Sequence, residues 1–198
     1  MKPRTLILAL AALSMAVPAA AQQQSRSYKF LTAVRESKGE EVVQMLDEPG
    51  QTIVNTRDVS NGEGALHIVV RRGDLTYLTF LLQRGADANM RDGHGDTPLM
   101  LAVQGSQIQM IDPLIFKGGN PNLANASGET PLIRAVQKRD LTAVRLLLAA
   151  GADSDQKDSL AGRSARDYAI GDPRATAVAK LIQETPKKVR RAVAGPKL

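Results

Sequence analysis

Three sets of residues in this chain recur every 33 positions and stay in step with one another. Gly62, Gly95 and Gly128 form one set, Leu66, Leu99 and Leu132 a second, and Gly85, Gly118 and Gly151 a third. The text between them repeats as well. Gly95-Asp96-Thr97-Pro98-Leu99 returns as Gly128-Glu129-Thr130-Pro131-Leu132, and Gly85-Ala86-Asp87-Ala88-Asn89 returns as Gly118-Gly119-Asn120-Pro121-Asn122 and Gly151-Ala152-Asp153-Ser154-Asp155. A fixed period of this length constrains the fold more than any other feature. Each unit is too small to bury its own apolar face, so successive units must stack and share one continuous core.

The pattern inside one period is that of two helices and two breaks. Thr97-Pro98 and Thr130-Pro131 read as an N-cap followed by proline at the first helical position. There the threonine hydroxyl accepts an orphan amide, and proline's missing donor costs nothing. The helix that follows carries one apolar stripe, Leu66, Val69 and Val70 in one unit, Leu99, Ala102 and Val103 in the next, then Leu132, Ala135 and Val136. Steps of three and four place these residues on one helical face. A second helix repeats the device with Leu75, Leu78, Leu81 and Leu82, with Ile108, Ile111, Leu114 and Ile115, and with Leu141, Val144, Leu147 and Leu148. Gly85, Gly118 and Gly151 stand where such a helix ends in a left-handed residue. Asn-Gly, His-Gly and Ser-Gly pairs mark the turn into the following unit.

In these residues the chain resembles the ankyrin repeat family, whose pattern is Asp or Asn, two variable residues, Gly-x-Thr-Pro-Leu, an Ala-rich inner helix, a Leu-Leu outer helix, then Gly-Ala-Asp and Asn. Residues 92–124 and 125–157 fit nearly throughout, and 59–91 fit with Gly64-Ala65 in place of Thr-Pro, which predicts a less well capped first helix. The resemblance covers residues 28–185 and implies an all-α solenoid of about five helix–turn–helix units with short β-turn loops, at 28–58, 59–91, 92–124, 125–157 and 158–185. The terminal units are atypical. The first lacks the Gly-x-Thr-Pro-Leu opening, and the last is one residue longer, with Ser164 for the capping threonine and Arg166 at the position of Leu66, Leu99 and Leu132. They read as polar caps, since one face of each meets water.

Composition acquires meaning once the ends are set aside. Lys2 and Arg4, an apolar run over residues 6–17, and the small residues Ala19 and Ala21 form the pattern of a secretory signal peptide cleaved after Ala21. The run is short of the roughly 20 residues a membrane span needs. A periplasmic or secreted mature chain is therefore expected, with residues 22–27 as a polar leader, and its resemblance is to exported bacterial ankyrin repeat proteins. Export permits disulfides, but the chain has no cysteine, so packing alone must hold it. The net charge of +6 belongs to the ends, because residues 22–186 carry 19 basic against 20 acidic side chains. A domain-wide basic footprint for nucleic acid is absent. The basic tail at 186–198 could brush an anionic membrane surface, though it reads more simply as a solvated, disordered segment.

The supply of chemical groups is poor, and no enzyme is expected. His67 holds the histidine position of the family's Thr-Pro-Leu-His motif, which implies a structural hydrogen-bond network between turns. His94 lies at a loop tip with only Asp96 for company, short of the three or four ligands a zinc site uses. Asp153-Ser154-Asp155-Gln156-Lys157-Asp158 lacks the glycine and glutamate of a calcium loop. No cofactor is expected. Pro113 falls inside an outer helix and predicts a kink or a late helix start on the convex side.

The resemblance implies a protein partner held on the concave side, at variable positions near the turn and at the end of the inner helix. In this chain those are Asn61, Glu63, Arg71 and Arg72, then Arg91, His94, Asp96 and Gln104, then Ser127, Glu129, Gln137 and Lys138. Arg71, Arg72 and Lys138 would make part of that face basic and suit an acidic patch on the partner. The leading expectation is a non-catalytic protein-interaction module. A metal-dependent hydrolase using His94 and Asp96, and a membrane-tethered scaffold held by an uncleaved signal and the basic tail, are the alternatives.

Overall fold

The computed structural model describes residues 19–48 and 53–185. The proposed signal up to residue 18 and the basic tail at 186–198 lie outside them. Five helix pairs follow one another. They are α1 (Ala19–Arg35) with α2 (Gly39–Asp47), α3 (Ala65–Arg72) with α4 (Leu75–Gln83), α5 (Pro98–Gln104) with α6 (Ile108–Phe116), α7 (Pro131–Gln137) with α8 (Leu141–Ala149), and α9 (Ala165–Gly171) with α10 (Thr176–Glu184). Inner helices stack on inner helices, α1 on α3, α3 on α5, α5 on α7 and α7 on α9, while the outer helices stack from α4 to α10. The described residues thus form an all-α solenoid of five stacked helix pairs.

The two apolar stripes meet in a single core. Val69, Val70, Leu99, Ala102, Val103, Leu132, Ala135 and Val136 are buried from the inner helices, and Leu78, Leu81, Ile111, Leu114, Val144 and Leu147 from the outer ones. Local chemistry starts and stops the helices as expected. The hydroxyls of Thr97 and Thr130 accept the amides of Met100 and Ile133, each at 3.2 Å, and Asp74 and Asp140 cap α4 and α8 in the same manner. Gly118, at φ 90°, ends α6 in the left-handed region that glycine adopts without strain.

A second set of ties runs between units. Asn89 donates its side-chain amide to the Gly118 carbonyl at 2.8 Å and accepts the Asn120 amide at 2.7 Å. Asn122 does the same to Gly151 and Asp153, and Asn55 to Gly85 and Asp87. The fourth position holds Asp155, which instead takes a hydrogen bond from Arg166 at 2.8 Å. Arg166 also reaches the Ser154 hydroxyl and the Ile182 carbonyl, so the arginine that replaces a buried leucine ties the fifth unit together.

Three features depart from the sequence reading. Residues 22–27, expected as a leader, fall inside α1, and the proposed cleavage after Ala21 lies in that helix's first turn. The second unit opens at Asp58 rather than Val59. The Asp58 amide bonds to the Glu63 carbonyl, five residues on, as Asp158 bonds to Arg163, whereas Asp92 and Asn125 reach only four residues, to Asp96 and Glu129. Both outermost turns therefore carry an extra residue, and Val59 and Leu160 are exposed there. Pro113 neither delays nor ends α6, which runs through it. The carbonyl that would have met the proline's missing N–H is that of Gln109, an exposed residue.

Candidate functional site

Each turn is built on one Asp or Asn whose side-chain oxygen gathers backbone amides. Asp92 accepts from His94 and Asp96, Asn125 from Ser127 and Glu129, and Asp158 from Leu160, Ala161 and Gly162. The turns then join edge to edge. The amides of Gly93, Ala126 and Ser159 donate to the carbonyls of Asn61, His94 and Ser127 at 2.7, 3.0 and 3.0 Å. Gly95 serves this stacking twice, since its φ is 79° and an added Cβ would lie 2.7 Å from the Ala126 nitrogen. Asn61, His94 and Ser127 are thereby lined up at equivalent points along one edge. Their backbones hold the turns together while the His94 ring, exposed at the tip, makes no hydrogen bond among the described residues.

The remaining expected residues line the adjoining inner-helix surface, and most of their side chains have partners within the protein. Glu63 accepts from Asn61 at 2.8 Å and pairs with Arg71 at 2.9 Å. Arg71 also reaches Asp92 at 3.2 Å. Arg72 donates to the Val34 carbonyl at 2.7 Å, closing the open end of α1, and pairs with Asp74 at 3.0 Å. Lys138 donates to the Gln104 carbonyl at 2.7 Å, which treats the end of α5 the same way. Glu129 holds Arg134 and accepts from Gln137 at 3.3 Å. Arg91 donates to the Gly95 carbonyl at 3.3 Å. The cations Arg71, Arg72 and Lys138 thus face this surface already neutralised or bound to helix-end carbonyls.

Asp96 is placed differently. It is buried, its carboxylate bound by Asn125 at 3.0 Å and by Gln104 at 3.1 Å. Among the described residues no three His, Cys, Asp or Glu side chains gather closely enough to hold a metal ion, and no helix is long and apolar enough to cross a membrane. In the acidic stretch after Gly151, Asp155 pairs with Arg166, and Asp158 takes the Tyr168 hydroxyl at 2.7 Å. That contact and the three backbone amides lower the Asp158 pKa. His67 is fully buried and joins two turns, accepting the Gly64 amide on Nδ1 at 3.0 Å while Nε2 donates to the Asp96 carbonyl at 3.1 Å. This is the network its motif position implies.

Sequence reasoning missed the residues between the turns and the helix ends. Ile68, Leu101, Arg134 and Tyr168 occupy one position of the inner helix in successive units and form a part-apolar strip beside the named residues. The period, 33 residues from Ile68 to Leu101 to Arg134, was the available signal. Arg134 anchors Glu129, and Arg163 lies over the Tyr168 ring at 4.3 Å.

Comparison with known proteins agrees with this architecture. A family model described as ankyrin repeats, in three copies, matches residues 30–125 and again 104–191. The chain is 41% identical over 76 residues to an ankyrin repeat protein of Acanthamoeba polyphaga mimivirus, covering 37% of this chain and 10% of that one. It is 48% identical over 52 residues to an ADP-ribosylation factor GTPase-activating protein of Arabidopsis thaliana, covering 25% of this chain and 7% of that one. The chain therefore spans a tenth or less of the length of these relatives, and the matched stretches are short. Stacked turns, paired helices and a model match over most of the chain agree: this protein belongs to the ankyrin repeat family, whose repeats are protein-interaction modules.

Proposed function

We propose that this protein is a non-catalytic binding module that holds a protein partner on its concave face, formed by the turn tips and the inner helices. The observation that supports the reading is the edge-to-edge ladder of turns. It holds His94 and Ser127 in register, while the stacked helices α5 and α7 carry Gln104 and Gln137 at equivalent ends of the same preformed surface. A rigid surface of this kind loses little conformational freedom on binding. The internal engagement of Arg71, Arg72 and Lys138 sharpens the partner's chemistry. Recognition would rest less on a bare basic patch meeting an acidic one than on polar contacts around the part-exposed Ile68 and Tyr168.

The module would act in the periplasm or outside the cell. That part of the reading rests on the N-terminal pattern, Lys2 and Arg4 ahead of the apolar run and Ala19-Ala20-Ala21. N-terminal sequencing of the protein recovered from a cell fractionation should give a mature start at Gln22, and a chain beginning at Met1 in the cytosol would overturn it.

Capture with the immobilised mature chain, made in parallel as His94→Glu with Gln137→Glu and as a control on the outer helices, Thr79→Glu with Arg145→Glu, tests the binding face. A partner retained by wild type and the control but lost from the first variant is the expected result. A partner lost only from the control would place binding on the opposite face.

A further inference from the structure

We infer that the junction between the second and third units is an acid-opened joint. Proton uptake by His67 frees the turn at residues 58–63 and the start of α3 from the turn at residues 92–96, while the junctions farther along the stack stay closed. The inference concerns the stack itself and needs no partner.

The joint begins with an inverted cap. In the third and fourth units the N-cap threonine supplies the oxygen that holds the helix start. In the second unit that position is Gly64, which has no side chain to offer, and a Cβ there would collide with the sulfur of Met90. The acceptor comes instead from inside the helix, where His67 Nδ1 takes the Gly64 amide. The other ring nitrogen spans the junction to the Asp96 carbonyl. The ring must therefore be neutral, with its proton on Nε2, to do both. A second proton on Nδ1 turns the acceptor into a donor facing another donor and places a charge in a fully buried site.

The charged groups around the ring do not offset that burial. From its own helix comes Arg71, which opposes a second positive charge. Glu63 of the turn before and Asp92 of the turn after favour the cation, but Arg71 already pairs with both, at 2.9 and 3.2 Å. The Asp96 carboxylate is occupied by Asn125 and Gln104. Burial dominates, and the His67 pKa is lowered from its ordinary value of 6.5. The closed junction holds a neutral ring, whereas the open one exposes an ordinary histidine. Closure is then complete above pH 6.5 and weakens as pH falls toward the closed-state pKa, by up to about tenfold per pH unit.

Nothing of the kind exists at the next junctions, where Met100 and Ile133 occupy the histidine's position and cannot titrate. On the other side of the second and third units, the Asn89 bridge and the α4–α6 packing do not involve His67. Opening would therefore be local, a hinge at the turn edge that carries Asn61, Glu63 and Arg71 away from His94 and Asp96.

Nuclear magnetic resonance of the mature chain between pH 7.5 and 4.5 tests this, with His94→Asn to identify the only other imidazole. The expected result is a His67 midpoint below 6.5, with hydrogen-exchange protection factors of residues 58–68 and 92–96 falling up to tenfold per pH unit in step with it. Residues 125–136 should keep theirs. In His67→Gln, or His67→Asn should the first not fold, the regional pH dependence should vanish. Uniform loss of protection across all units, His67 titration without local opening, or the same pH dependence in the variants would each overturn the joint. If neither variant folds, the regional comparison in wild type decides alone.

Discussion

Asparagine at residues 55, 89 and 122 is the residue type the stack needs, for a reason of valence. Its side chain both donates and accepts, and here each one uses a donor toward the loop of the next unit and an acceptor for an amide of that same loop. No other small side chain does both at that reach. Asn89→Ala should cost about 0.5–1.5 kcal/mol, the net worth of a hydrogen bond whose partners, here on exposed residues, water can reach. Asn89→Asp keeps the acceptor, loses the donor, and should fall in between. Urea denaturation against the exposed control Gln83→Ala checks this, and equal midpoints for Asn89→Ala and the control would contradict it. The repeated text marks Asn89 and Asn122 in the sequence. Asn55 is harder to see, because the extra residue in the turn at 58–63 sets it 34 positions before Asn89 and out of register.

The inner helices show how far a local code extends. The inner helices α1, α3, α5 and α7 end one or two residues before a position with positive φ, and that position is glycine only once. Gly73 sits at 76°, while Ser106 and Arg139 occupy the same place in the next two units at 55° and 57°. An L-residue with a Cβ is strained there by about 1–2 kcal/mol. Ser106 is exposed and makes no side-chain hydrogen bond among the described residues, so Ser106→Gly should recover about 1 kcal/mol and raise the thermal midpoint by a few degrees. Gly73→Ala should lower it. A Ser106→Gly midpoint below wild type would show that the serine is not strained. Arg139 is a poorer site for the same change, because it pairs with Asp172 of the last unit at 3.0 Å.

On the scale of the molecule, the main contacts of each helix pair among the described residues are with the pairs beside it. Stability is then close to a sum of units and shared faces, and the last face needs a polar finish. The fifth unit supplies it. Thr176 and Gln183 stand where inner units carry a leucine or isoleucine, and Arg166 is bound to Asp155, Ser154 and Ile182. Ending the chain after Lys157 removes that unit and bares the sides of α7 and α8 that pack on α9 and α10. The truncated chain should melt at a lower temperature, bind the dye ANS, and associate at concentrations where the full chain stays monomeric. Equal melting and no dye binding would mean that the fourth unit caps itself.

The sequence by itself determined the period, the helices and their ends. These are set by interactions a few residues long: apolar residues three and four apart, threonine or aspartate ahead of a helix, and a left-handed residue behind it. Repetition at 33 residues then dictated which faces must stack. Only the tertiary structure decided what the polar side chains meet. Arg71, Arg72 and Lys138 read as a basic patch until Glu63, Asp92, Asp74 and the carbonyls of Val34 and Gln104 are found within reach. Asp96 reads as a surface residue until Asn125 and Gln104 close over it. Such side chains choose between water and a group one repeat away, and the choice depends on spacings between units of an ångström or less. A period fixes which positions are neighbours, but not which of them bond.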